Sequence, residues 1–230
     1  MVIPVNDDAA RLERCLEALW IQTRRPDEII VVDHGSSDLT RTVAGWWNAV
    51  YVYEPKPGIA AAASAGYDAA SGAVIARLDA SSVPGPEWVE RICAAMTSNT
   101  RLDAITGPGR FGSLPAPLRH LAGALYMNAY FRLFGALVGH TPLFGPNFAM
   151  RSEVWLAARG RTHRGDPRVH DDLDLSFGLD RGSHVQLDAG LIVPISARPF
   201  ADPAAFARRV GRGVYTVAVN RRALDLPWRR

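Results

Sequence analysis

The sequence predicts an α/β protein whose mainly parallel sheet is flanked by helices. Short apolar runs alternate with helical patterns along the first half of the chain, an arrangement typical of strand-helix-strand units. The length of 230 residues suits one domain with an elaboration. A hydrophobic content of 48% with 21% charged residues excludes a disordered chain and a disulfide scaffold.

Five apolar segments are the predicted strands: 1–5, 28–33, 51–53, 73–79 and 103–107. In a mainly parallel sheet, ligands bind outside the carboxyl ends of the strands, where loops and helix N-termini meet. The residues that end these strands are therefore the first candidates for a site. Asp33 and Asp79 each end a strand, and a capping role explains one such aspartate more comfortably than two on neighbouring strands.

The helices are predicted by apolar residues at spacings of three and four: Leu12, Cys15, Leu16 and Leu19, and later Val89, Ile92, Cys93 and Met96. Asp7 or Asp8 is expected to cap the first of these helices, and Ser36 or Ser37 the helix after the second strand. Residues 58–72 are rich in alanine and glycine, which predicts a helix that a neighbour or a ligand can approach closely.

The two cysteines, Cys15 and Cys93, lie among apolar helical positions, so we expect buried thiols rather than a disulfide or a metal pair. The opening segment MVIPV has neither the basic stretch nor the long apolar stretch of a signal peptide. Together these features predict a cytoplasmic location.

Residues 114–146 are largely apolar, but Arg119, His120 and Arg132 interrupt any run long enough for a transmembrane helix. A buried helix or helix pair is the favoured interpretation. The alternative is an interfacial surface that meets lipid, indicated by the aromatic residues near these arginines: Tyr126, Tyr130, Phe131 and Phe134.

The positive charge is concentrated at the C-terminus. Residues 198–230 contain eight arginines and two acids, although the net charge of the whole chain is only +3. Such a segment can contact nucleic acid, anionic lipid or a phosphorylated ligand, or it can be a solvated arginine-rich helix.

A second acidic cluster, VHDDLDLSFGL, spans residues 169–179. On a helix, Asp171 and Asp174 share a face, whereas Asp172 points elsewhere and can project into a cleft. Acids at a helix N-terminus gain from the helix dipole, which accounts for one or two of them structurally. An aspartate in a cleft is also a candidate general base that takes a proton from a hydroxyl nucleophile.

Six motifs follow one another along the chain: VIPVND, VVDHGSSD, the segment from Gly58 to Gly66, RLDASSVPGPEWV, GPNFAMRSEVW and HDDLDLSFGLDRG. In this order and at roughly this spacing they occur in the family 2 glycosyltransferases, which the sequence resembles over residues 2 to about 198. The resemblance implies a GT-A type fold, which is a Rossmann-like mainly parallel sheet with a C-terminal acceptor-side region. It also implies inverting transfer of a sugar from a nucleotide-diphosphate donor to an acceptor hydroxyl.

The resemblance assigns roles to individual residues. The nucleotide-binding residues that it implies are Pro4, Val5, Asp33, Gly58, Asp79 and Ala80. Asp172 matches the general base of the family, and Asp171 matches the acid before that base, near the acceptor. Gly145 and Asn147 match a G-x-N turn beside the donor sugar and the acceptor.

The charge of the leaving diphosphate must also be neutralised, and the resemblance implies a divalent ion, Mn²⁺ or Mg²⁺, for this purpose. Asp79 matches the first acid of the D-x-D motif, but Ser81 stands where the last acid is usual, which implies a weak metal site. We therefore expect arginines after the base region to share the charge of the diphosphate: Arg208, Arg209 and Arg212, together with Arg198.

The predicted function is an inverting glycosyltransferase that uses a nucleotide sugar, with a cell-envelope or lipid-linked glycan as the expected acceptor. Its expected partners include a peripheral contact with the inner face of the plasma membrane but no nucleic acid. The alternative is a degenerate, non-catalytic sugar-nucleotide-binding module, which Ser81, Ala63 and Ser64 favour because they replace usual ligand-contacting residues. A nucleotidyltransferase is disfavoured because PVNDDAARLE lacks a glycine-rich basic loop.

The expected organisation has three parts. Residues 1–110 form the nucleotide-sugar-binding half of one domain, and residues 111–198 form its acceptor-binding and catalytic half. Residues 199–230 form a basic helical segment.

Overall fold

The computed structural model describes residues 1–111, 116–195 and 203–220 of the chain. The strands are β1 (Val2–Val5), β2 (Ile30–Asp33), β3 (Val50–Tyr53), β4 (Val74–Leu78), β5 (Ala104–Thr106), β6 (Gly109–Phe111), β7 (Asn147–Arg151), β8 (Val185–Leu187) and β9 (Val193–Ile195). The helices are α1 (Ala9–Trp20), α2 (Thr40–Trp46), α3 (Ile59–Ala69), α4 (Trp88–Ser98), α5 (Ala116–Val138), α6 (Ser152–Ala158), α7 (Asp171–Gly178) and α8 (Pro203–Val219).

The main sheet has seven strands in the order β3-β2-β1-β4-β7-β5-β8. The pairs β1–β2, β2–β3, β1–β4 and β5–β8 are parallel, whereas β7 runs antiparallel to both of its neighbours. Strands β6 and β9 form a separate parallel pair. The prediction of a mainly parallel sheet flanked by helices is confirmed, and all five predicted strands are present.

Helices cover both faces of this sheet and give it two apolar layers. On one face, Leu12 and Leu16 of α1 and Ile92 of α4 pack in one buried cluster with the odd-numbered residues of β1. On the other face, Tyr67 of α3 and Trp155 of α6 pack edge to face, with ring centroids 5.0 Å apart. Strands β1 and β2 are buried on both faces, as their nearly continuous apolar sequences require.

The helix caps differ in part from the prediction. Helix α1 follows Asp8 as expected, but the Asp8 side chain bonds to Arg11 instead of capping the helix. Helix α2 begins only at Thr40, so the prediction that Ser36 or Ser37 caps it is wrong. The two serines instead bond to Asp7 across the loop, which leaves them too far from the helix to cap it.

Residues 116–138 form one long helix, α5, rather than a helix buried on all sides. Met127, Tyr130 and Val138 are buried on one side of it, while Leu125 and Leu133 are 63% and 61% exposed on the other. None of the helices in the described ranges combines the length and apolar character that a bilayer crossing requires. Both cysteines are free thiols, with Cys15 buried and Cys93 half-buried.

Candidate functional site

Two cavities lie near the N-terminus of α7, and they differ in chemistry. The first, called the polar cavity below, has a volume of about 530 Å³ and is bounded by the carboxyl ends of β1, β2 and β4. The second, called the apolar cavity, has a volume of about 460 Å³ and lies between α5, α7 and α8. Both volumes fall in the ordinary range for small-molecule sites.

The polar cavity brings together the strand ends that the sequence singled out. Its lining includes Pro4, Val5, Gly58, Asp79, Ala80 and Ser81, all of them predicted nucleotide or metal contacts. The lining also includes Asn6, Asp8, His34, Pro167 and Arg212. Parallel strands end at one edge of the sheet, which is why residues so far apart in sequence meet there.

Gly58 opens α3 at the wall of this cavity, in a conformation that favours glycine. Its φ is +108°, and a Cβ at this position would lie 3.0 Å from the Cβ of Pro167. The absence of a side chain therefore lets the start of α3 approach the loop before α7.

Asp33 is the one predicted nucleotide contact that does not line the polar cavity. It is buried, and its carboxylate accepts hydrogen bonds from the Tyr51 hydroxyl (2.7 Å), the Ser36 amide (2.8 Å) and the Gly35 amide (3.1 Å). Partial burial acts to raise the pKa of Asp33, but these hydrogen bonds outweigh it and hold the pKa below its ordinary value. Asp33 thus fixes the loop whose residue His34 lines the cavity.

Arg77 is a central residue that the sequence reasoning missed. Its buried guanidinium donates to the carboxylate of Asp171 and, at 3.1 Å, to that of Asp79. Burial alone would lower the pKa of Arg77, but the two carboxylates raise it well above its ordinary value, so the guanidinium stays charged. The signal was present in the sequence, because a charged residue in the apolar run AVIARLD lies two positions before Asp79 and hence on the same strand face.

Asp172 faces the apolar cavity, whereas its neighbour Asp171 faces Arg77. The Asp172 carboxylate is 6% exposed and accepts hydrogen bonds from the Gly145 and Leu173 amides, both at 2.8 Å. The Tyr130 hydroxyl lies 3.5 Å from the same carboxylate. These contacts hold one carboxylate oxygen against the loop before β7 and leave the group at the cavity wall.

Gly145 allows this close contact with Asp172. A Cβ at position 145 would lie 3.0 Å from Asp172 Oδ2 and 3.2 Å from its Cβ. Any larger residue would therefore displace the carboxylate by a few tenths of an ångström.

Asn147 lines neither cavity and instead supports the surrounding loops. It is fully buried, accepts a hydrogen bond from Trp88 Nε1 (2.8 Å) and donates to the Leu191 carbonyl (2.5 Å). A buried amide with satisfied donors and acceptor fixes the chain around the start of β7.

The predicted arginine group separates between the two cavities. Arg212 lines the polar cavity with Asp79, whereas Arg209 lines the apolar cavity and donates to the Tyr126 hydroxyl (3.2 Å). Arg208 is exposed and lines neither of the two cavities. Arg198 lies outside the described residues.

The polar cavity offers a partial set of metal ligands. Within the described residues, no three histidine, cysteine or acidic side chains cluster in a way that could hold a metal ion. Asp79 presents a partly exposed carboxylate, and the Ser81 hydroxyl lies in the same wall. Such oxygen donors fit Mg²⁺ or Mn²⁺ when donor phosphates and water complete the coordination.

Comparison with known proteins finds a matching family model and related sequences. The family model described as Glycosyl transferase family 2 matches residues 1–158. Glycosyltransferase AglE of Haloferax volcanii is 32% identical over 119 residues, which are 48% of this chain and 39% of that protein. The chain thus spans well under two thirds of that relative.

Solved structures share the fold at low sequence identity. Glucosyl-3-phosphoglycerate synthase from Mycobacterium tuberculosis, solved with Mn²⁺, UDP and glucosyl-3-phosphoglycerate, has a TM-score of 0.67 at 20% identity, over 95% of this chain and 78% of that one. Mannosyltransferase PcManGT from Pyrobaculum calidifontis, solved with GDP-Man and Mn²⁺, has a TM-score of 0.66 at 17% identity, over 97% and 70%. These similarities establish a GT-A type architecture.

Proposed function

The chain belongs to glycosyl transferase family 2, and from that premise we propose that it is an inverting glycosyltransferase with Asp172 as its general base. The donor is a nucleoside-diphosphate sugar bound in the polar cavity. The acceptor hydroxyl approaches from the side of the apolar cavity.

One observation carries the proposal: Arg77 joins the two halves of the site. It bonds to Asp79 at the end of β4 and to Asp171 at the start of α7. The strand end beneath the donor and the helix that presents Asp172 are therefore held in one arrangement. Fixed relative positions of donor and base are what a displacement reaction requires.

The donor assignment is supported by the lining of the polar cavity and by relatives solved with UDP or GDP-Man. Pro4 and Val5 line the side of the base, Asp33 stabilises that side through its loop, and Asp79, Ala80 and Gly58 lie toward the diphosphate. Residues 1–110 thus form the donor-binding half, and residues 111–198 supply Gly145, Asn147 and the acids of α7.

The leaving diphosphate needs positive charge, and two sources are proposed. Asp79 and Ser81 would hold Mn²⁺ or Mg²⁺, which neutralises the charge that develops on the diphosphate. Arg212 in the same cavity adds a permanent positive charge, which offsets the weak donor at Ser81. Arg209 acts instead beside Asp172, and Arg208 has no place in this scheme.

In the reaction, the acceptor hydroxyl attacks the anomeric carbon of the donor sugar while the bond from that carbon to the diphosphate breaks. Asp172 takes the hydroxyl proton, and the diphosphate leaves with the bonding electrons. A single displacement from the face opposite the leaving group inverts the anomeric configuration. The amides of Gly145 and Leu173 orient the Asp172 carboxylate for this role.

The acceptor is proposed to be a cell-envelope or lipid-linked glycan, met at the cytoplasmic face of the plasma membrane. This rests on the exposed apolar side of α5, where Leu125 and Leu133 are more than half exposed, and on the basic character of residues 198–230. Apolar surface beside arginines is typical of proteins that bind membranes peripherally.

The second candidate function is a non-catalytic module that binds a sugar nucleotide. It is favoured by Ser81 in the place of an acid and by the ion pair of Asp79 with Arg77, which competes with a metal for that carboxylate. Both features weaken metal binding without closing the cavity.

Incubation with a panel of nucleotide sugars, with and without Mn²⁺, separates the two functions. Transfer predicts release of nucleoside diphosphate that depends on acceptor and is lost in Asp172→Asn. Thermal stabilisation by a nucleotide sugar without any turnover, in the presence of acceptor glycans, would contradict transfer and support the binding module.

A further inference from the structure

We propose that the apolar cavity binds the hydrocarbon chain of an amphiphilic acceptor and presents its head-group hydroxyl to Asp172. The inference rests on the proposed function, since it assigns the cavity to the acceptor of that reaction. It goes further in naming the cavity, the chemical class of the acceptor and the residues that select it.

The proposed general base lies at the apolar cavity. Among the two cavities described, Asp172 lines only the apolar one. A molecule that loses a proton to Asp172 must therefore reach it through walls made mainly of aromatic and aliphatic side chains. Tyr130 and Phe134 of α5 and Val217 of α8 are among them.

Polar and apolar side chains are unevenly distributed within the cavity. Its charged side chains, Asp172 and Arg209, both belong to its wall, and Arg209 is held by the Tyr126 hydroxyl. Burial acts to lower the pKa of Arg209, but Tyr126 and Asp172 raise it above its ordinary value. The Asp172 carboxylate therefore lies near enough to Arg209 to interact with its guanidinium. A head group with a hydroxyl and an anionic substituent fits these two residues, and a chain without hydrogen-bonding groups fits the rest.

The rim of the cavity is apolar and exposed. Leu133 of α5 and Phe206, Val210 and Val214 of α8 line the cavity and are 61%, 42%, 50% and 66% exposed. Apolar residues that are contiguous and exposed at a cavity mark a binding surface more often than isolated ones do. These side chains extend the apolar surface beyond the cavity, where the end of a hydrocarbon chain longer than the cavity can lie.

Polar acceptors fit these walls poorly. A free sugar large enough to fill the cavity would bury hydroxyl groups against the aromatic and aliphatic side chains beyond Asp172 and Arg209, which costs binding free energy. A hydrocarbon chain gains free energy from the same contact, and this gain grows with each methylene that is buried.

The test uses the full chain and a series of n-alkyl β-glucosides from ethyl to decyl, kept below their micelle concentrations. Binding is measured by calorimetry without any donor, so that the result does not depend on turnover. The inference predicts affinity that rises with chain length, by up to roughly fourfold per buried methylene. Affinity that is independent of chain length would overturn it.

Two matched pairs of variants locate the binding. Leu133→Glu places a charge on the cavity rim, and Leu125→Glu places one at an equally exposed leucine of α5 that does not line the cavity. Gly213 lines the cavity, and a Cβ there would make only ordinary contacts with Phe134 and His170, so Gly213→Leu fills the cavity. Gly211→Leu is its control, because Gly211 faces open space. Leu133→Glu and Gly213→Leu are expected to remove the chain-length dependence, and Leu125→Glu and Gly211→Leu to retain it.

Turnover then separates this inference from the proposed function. One outcome is binding that depends on alkyl-chain length and persists in Asp172→Asn, with no nucleoside diphosphate release from wild type or any variant. That outcome supports the cavity assignment and refutes transfer. Transfer to short, polar acceptors at the same rate as to long-chain acceptors refutes the cavity assignment and leaves the function standing. If the protein binds no alkyl glucoside of any length, the inference is overturned. It is also overturned if the protein forms dimers that Leu133→Glu dissociates, because the cavity is then covered by a second copy.

Discussion

Replacement of Arg77 by methionine is expected to lower the free energy of unfolding by about 3–5 kcal/mol at pH 7. Arg77 is the buried partner of two carboxylates, and its side chain is only 2% exposed. Removing it leaves Asp171, whose side chain is 11% exposed, without a counter-charge in a region that water barely reaches. Asp79 loses less, because its side chain is 31% exposed and can be solvated.

The magnitude follows from desolvation rather than from the strength of the ion pair. A buried pair replaced as a whole is often close to neutral in stability, whereas one partner left alone is costly. Arg77→Met combined with Asp171→Asn should therefore recover most of the lost stability, with an interaction energy of about 2–3 kcal/mol between the two changes. Arg161→Met serves as control, since it removes an arginine from a pair with Asp180 in which both side chains are well exposed, and it is expected to cost far less.

The assay is urea unfolding, followed by circular dichroism between pH 4 and pH 7, of five proteins: wild type, Arg77→Met, Asp171→Asn, the double variant and the control Arg161→Met. In Arg77→Met the uncompensated Asp171 carboxyl has a pKa raised above the ordinary value of about 3.9, so the folded state binds more protons than the unfolded state. Stability of that variant then falls as the pH rises, and its deficit relative to wild type shrinks toward pH 4. A deficit that is equal at all pH values, or a double variant no more stable than Arg77→Met, would refute this reasoning.

Three further outcomes are expected. Gly145→Ala pushes a Cβ against the Asp172 carboxylate and should lower kcat roughly tenfold, with donor affinity unchanged, whereas Gly160→Ala, which has open space around it, should change neither. Arg212→Ala should weaken donor binding about tenfold in a titration, most clearly without Mn²⁺. A donor affinity equal to that of Arg208→Ala would show that Arg212 does not contact the diphosphate. Tyr51→Phe removes one hydrogen bond that holds the pKa of Asp33 low. The loss of stability in this variant should be full at pH 7, shrink once the pH falls below about 3.9, and vanish as the pH falls through the lowered pKa of Asp33. A loss of stability that persists in acid would contradict that cause.

The sequence predicted the strand ends well because a single rule governs them. Parallel strands ending in Val5, Asp33 and Leu78 must place the following residues at one edge of the sheet, whatever the details of packing. The separation of Asp172 from Asp171 followed equally from helical geometry, since adjacent residues on a helix point in different directions.

Other parts of the site depend on contacts between residues distant in sequence. Arg77 and Asp171 are 94 positions apart, and only the tertiary fold shows that they pair. The apolar cavity arises where α5 meets α8, so neither apolar helix pattern alone could reveal it. The cap of α2 was mispredicted because Ser36 and Ser37 bond to Asp7 in a loop about 30 positions away, a competition that local sequence does not record.

The most direct test of the account is the rate of nucleoside diphosphate release in Asp172→Asn, measured with saturating donor and acceptor. Asparagine keeps the size of the side chain but only one acceptor oxygen for the Gly145 and Leu173 amides, so its melting temperature should fall below that of Asp180→Asn, an exposed control, while donor affinity should match that control. Turnover is expected to fall by about 10²–10⁴-fold, the usual contribution of a general base. Turnover in Asp172→Asn equal to that of wild type would contradict it.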